Sequence, residues 1–184
     1  MPIFGRWRAE RKLHERAERF VAGLLVEPDD ADVSWLAECA TRGDRDHAAW
    51  ELRYARRALG LVSAQRDALD DRTGAVVAHA MAAAFARDRG IDRDRLELSQ
   101  RQFNARLSAY RDAVGARVNA ATPARLGRTL LAFSGGSFRE IDANVERAGD
   151  LLARDLAAAN ASLREQFGTA TLPEHVPPSA IDRR

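Results

Sequence analysis

Apolar side chains recur every three or four residues along most of the chain, with polar residues between them, and β-branched residues rarely cluster. That period predicts amphipathic helices rather than strands. The first stripe, Leu13, Ala17, Phe20, Val21 and Leu24, predicts a helix from about Gly5 to Leu25. Its opening two turns do not share the stripe, because Arg6 and Glu10 stand where it would continue. Residues 1–12 are therefore expected to protrude from the body.

Glu27-Pro28-Asp29-Asp30 breaks that helix, and the aspartates can cap a short one through Val33, Leu36 and Cys39, ended by Gly43. Asp44 caps a long helix with Trp50, Leu52, Tyr54, Ala58, Leu59, Leu61 and Val62 around most of its circumference. Such coverage predicts the central, most buried helix. Asp70-Asp71-Arg72-Thr73 is a break before a small-residue helix through Val77, Met81 and Phe85 that stops at Gly90. Asp92 caps the next helix, whose stripe runs Leu96, Phe103, Leu107, Tyr110, Val114, Val118.

Thr122-Pro123 has the form of an N-cap followed by an N1 proline, opening a short helix through Leu126, Leu130 and Leu131. After the Gly135-Gly136 turn, Ser137 and Glu140 have capping-box spacing and predict the start of a last helix through Phe138, Ile141, Val145, Leu152, Leu156, Leu163 and Phe167, closed by Gly168. Pro173, Pro177 and Pro178 keep residues 169–184 extended. The sum is an all-α fold: a single-domain antiparallel helical bundle, residues 1–168, of four main helices plus two or three short ones, followed by an extended Pro-rich tail.

Composition narrows the class. With 46% hydrophobic and 30% charged residues, the 184-residue chain is ordinary for one globular domain and too apolar for disorder. Its 29 basic residues nearly balance 27 acidic ones and are interleaved with them, so no nucleic-acid partner is expected. Cys39 is the only cysteine, which excludes an intramolecular disulfide. Neither a signal-peptide core nor a membrane-length apolar run is present, and the expected location is the cytoplasm, with peripheral association at the inner face of the cell membrane.

Candidate chemistry is sparse. Asp44, His47 and Glu51 lie at i, i+3 and i+7, a fragment of a di-iron site, but no Glu-x-x-His occurs anywhere. The SGGS run at 134–137 lacks the lysine of a phosphate-binding loop. Residues 122–149 offer two helices around a glycine turn, but Glu140 and Asp142 would face DNA phosphates. No catalytic residue, cofactor site or metal site is assigned, and a non-enzymatic protein is expected.

Three places exceed what a bundle needs. Phe4, Arg6, Trp7, Arg8, Arg11 and Lys12 combine exposed aromatic area with cations, which suits an anionic headgroup layer or a partner's groove. Leu172, Val176, Pro177, Pro178 and Ile181 form spaced anchors on an extended strand. Arg53, Arg56 and Arg57 share one narrow face of the central helix, for intramolecular pairing with Asp46 or other acidic neighbours, or for docking an acidic surface. The expected function is an accessory or scaffold subunit that binds and stabilises a larger protein assembly, on the cytoplasmic face of a membrane complex of respiratory, photosynthetic or secretion type. The alternatives are a ligand-responsive helical regulator that binds DNA or a small molecule and, third, a ferritin-like metal enzyme.

Overall fold

The computed structural model describes residues 3–68, 70–88, 92–115, 117–136 and 142–169, with the backbone alone for 3–6. It is all-α, with no strand among the described residues. The helices are α1 (Ile3–Leu24), α2 (Asp30–Cys39), α3 (Arg45–Asp67), α4 (Asp71–Arg87), α5 (Leu96–Val114), α6 (Thr122–Phe133) and α7 (Ala143–Phe167). One turn of 3-10 helix, Arg93–Arg95, leads straight into α5.

Aspartate starts most of these elements. Asp29, Asp44, Asp70 and Asp142 each accept a hydrogen bond from the backbone N–H two or three residues on, at 2.7–2.9 Å, and Asp92 does the same for the 3-10 turn. Each satisfies one amide that the helix itself leaves unpaired. Asp142 is also where the expected start of α7 shifts: the helix begins at Ala143, and Ser137, Phe138, Glu140 and Ile141 lie outside the described residues. Two further boundaries differ from expectation. Thr122 is not a cap, since its Oγ1 accepts from the N–H of Asn119, upstream of α6. Val118 leaves the α5 stripe because Gly115, at φ 68°, ends the helix, and its side chain is 52% exposed.

α3 is the central helix, with thirteen of its 23 residues buried. α1 and α4 pack together on one side of it, and α5 with α6 on another. α6 and α7 form the most intimate pair. A Cβ added to Gly127 would fall 2.2 Å from the carbonyl oxygen of Val145, and one added to Gly149 would fall 2.5 Å from that of Pro123. Only glycine permits those backbones to lie so close. The core beneath is continuous, from Phe20 of α1, edge-on to Phe167 of α7 at 6.5 Å, through Leu36, Leu59 and Leu152 to Leu126 and Leu130.

Candidate functional site

The first three turns of α1 stand apart from this core. No described side chain before Leu13 is buried even in part, and Trp7 is 59% exposed. Arg8, Arg11 and Lys12 are exposed beside it, the Arg11 guanidinium 5.9 Å from the indole centroid and bonded to Glu15 at 2.9 Å. The helix is nevertheless held at its third turn, where Glu10 meets Arg72 of α4 at 2.9 Å. Phe4 and Arg6 lie in the same helix, but their side chains are outside the described residues. The tail anchors Leu172, Val176, Pro177, Pro178 and Ile181 are outside them as well.

The arginine face of α3 is occupied from within. Arg53 donates to Glu27 at 2.8 Å, Arg56 to the Val26 carbonyl at 2.9 Å and to Asp155 of α7 at 3.4 Å, and Arg57 to Asp88 at the end of α4 at 3.0 Å. These partners, rather than Asp46, take the charge. Arg57 is 3% exposed, with its guanidinium 5.1 Å from the Phe85 ring centroid. Three cations that share a face in sequence thus clamp three different segments onto α3, and Arg57 is too deeply buried to meet an external acidic surface.

A polar cluster joins α3 to α5. Glu51, 2% exposed, is gripped by both arms of the Arg106 guanidinium, Nε to Oε2 at 3.0 Å and Nη2 to Oε1. His47 Nε2 lies 3.3 Å from the same Oε1. The Arg106 guanidinium also lies 4.5 Å from the Phe133 ring centroid, so this side chain touches α3 and α6 at once. A buried, bidentate carboxylate–guanidinium pair of this kind ties helices together only while both partners are present. One turn further along α5, Tyr110 is wholly enclosed; burial, reinforced by the Glu51 charge, holds its hydroxyl pKa well above the ordinary value and keeps it protonated.

His47, Trp50, Glu51 and Tyr54 from α3 face Ser99, Gln102 and Arg106 from α5 across an open cavity of about 390 Å³. Sequence reasoning found His47 and Glu51 but not Arg106, 55 positions away. A signal was present: Arg106 falls three residues after Phe103 and four before Tyr110, on the buried stripe of α5, where a cation needs an internal acid. Asp44, the third member of the supposed metal-site fragment, is spent as the α3 cap. Among the described residues no group of three or more His, Cys, Asp or Glu is placed to hold a metal ion, and no helix is long and apolar enough to cross a membrane. Cys39 is half-buried at the end of α2, and burial raises its thiol pKa, which disfavours the reactive thiolate.

Comparison with protein-family models, with curated proteins and with solved structures gave no match to this chain.

Proposed function

We propose that the protein works by contact, as a non-enzymatic accessory or scaffold subunit whose first three turns of α1 dock onto a larger assembly. The observation that carries this is Trp7, more than half exposed among Arg8, Arg11 and Lys12 on a helix end where none of the described side chains is buried. An indole flanked by cations gains most where its ring is covered and its neighbours meet anions. The cytoplasmic rim of a membrane complex, with acidic lipid headgroups around protein, offers both.

The test is affinity capture from a detergent extract with wild-type protein and with the Phe4→Ala/Trp7→Ala double variant. Wild type should recover a defined protein set that the double variant loses, while the melting temperature of the two agrees within what about 0.5 kcal/mol would produce. Recovery of a lone monomer, or a large fall in melting temperature on removing the rings, overturns the proposal. A ligand-responsive regulator is the second reading, favoured by the polar cavity at Glu51. Under that reading a labelled DNA duplex should shift with steep dependence on salt concentration.

A further inference from the structure

α4 and α5 both rest on α3, but they diverge on one side of it. Phe85 of α4 and Phe103 of α5 meet at 4.7 Å between centroids, with the Tyr54 ring of α3 stacked 6.2 Å from Phe85. Phe85 and Phe103 line a cleft of about 380 Å³ together with Leu61, Met81 and Leu107. The size falls in the lower part of the roughly 300–1,000 Å³ range of small-molecule sites.

Two properties of the lining define what fits. First, none of its ten residues is ionisable, in a chain of which 30% is charged. A charged ligand would lose hydration there without a counter-charge in return. Second, its polar members are all carboxamides: Gln65, Gln100 and Asn104. The Gln65 carbonyl already accepts from Arg111 at 2.8 Å, which leaves its amide N–H as the free end. An acceptor oxygen or a hydroxyl beside an apolar body therefore suits the Gln65 amide and the apolar lining together.

On α4 the lining runs from Ala78 to Phe85 and on α5 from Gln100 to Leu107, about two turns or ~11 Å each. The anchors i to i+7 of a docked helix span about 10.5 Å, so length alone admits one. Burial decides for a small molecule: Leu61, Met81, Phe85 and Phe103 are each less than a tenth exposed, so a helix laid across the rim would cover little apolar area, whereas a small ring system can enter between them.

We propose that the α3–α4–α5 cleft is a binding site for an uncharged, ring-containing small molecule of about bicyclic size bearing one hydrogen-bond acceptor or hydroxyl. This site is independent of the docking end of α1.

The experiment is a fluorescence titration of the full chain with two probes of the same ring system, neutral 2-naphthol and its charged counterpart 6-hydroxynaphthalene-2-sulfonate. The neutral probe should saturate at one per chain and bind at least tenfold more tightly than the sulfonate. Ala78→Phe and, separately, Ala82→Phe project a ring into the cleft from its rim. Each should weaken the neutral probe at least tenfold with unchanged helical circular dichroism, and the second variant carries the test if the first does not fold. Absence of saturable binding to wild type, equal affinity for the two probes, or full binding by the folded rim variants overturns the assignment.

Discussion

α6 against α7 and α4 against α5 are both neighbours in sequence, but they are packed in opposite ways. The first pair has glycine where its helices cross, at Gly127 and Gly149, so that backbone meets backbone and the surrounding Leu126, Leu130 and Leu152 are fully enclosed. The second pair has rings where it meets, at Phe85 and Phe103, and beside those rings lies a cleft lined by Leu61 and Met81. Small residues at a crossing make a seam, and large ones at a crossing make a hollow beside it. The same alanine-rich composition serves both, so it is the residue at the crossing that decides.

The largest expected effect comes from the tie that keeps α5 on α3. Glu51→Gln leaves the Arg106 guanidinium, 13% exposed, without its carboxylate, and should lower stability by about 3–5 kcal/mol in urea unfolding. The cleft side would then be shown to depend on one ion pair, whereas the seam depends on contact alone. Next, a matched pair of truncations measures the contrast directly. Leu152→Ala, at a wholly buried position of α7, should cost about 2–5 kcal/mol, and Leu107→Ala, half-buried on the cleft, well under half as much. Equal costs would mean that the cleft closes in solution.

Gly149→Ala tests the seam from the other direction. The added methyl meets the Pro123 backbone and not a yielding side chain, and a loss of about 1–3 kcal/mol is expected, read from the shift in urea midpoint. Smallest is the effect of Asp155, which joins α7 to Arg56 of α3. Its burial raises the carboxyl pKa despite the guanidinium at 3.4 Å. The folded chain then keeps this proton to a higher pH than the unfolded one, so the group favours folding below the ordinary carboxylate range, and that contribution is lost as pH rises through the folded value. Asp155→Asn should flatten this fall in a series of urea midpoints taken through the acid range.

The helices were legible because their stripes and caps are local. Asp44 announces α3 within four residues and the apolar stripes give the helix faces, whereas residues 70–73, read as a break, are the cap and first turn of α4. What was hidden depends on partners distant in the chain. Glu51 and His47 read as a metal-site fragment that nothing completes, and the guanidinium that neutralises Glu51 is hidden because it arrives from α5. The Arg53, Arg56 and Arg57 face reads as continuous, although its partners come from three segments: the 26–27 loop shared by Arg53 and Arg56, α7 through Asp155, and the end of α4 through Asp88. Leu107 sits one turn from Phe103 on an unbroken stripe, and only the divergence of α4 leaves it half-covered. Of the candidate docking residues, Trp7, Arg8, Arg11 and Lys12 were recognisable from the missing stripe alone, because an absence of burial is also a local signal.

α3 touches every one of the other six α-helices. Its middle amides, from Leu52 to Val62, are therefore shielded by several layers at once, and no single neighbour that peels away can expose them. Deuterium should enter this short line of backbone last, at the rate of whole-molecule opening, while α4 takes it up through excursions that the remainder of the protein scarcely registers.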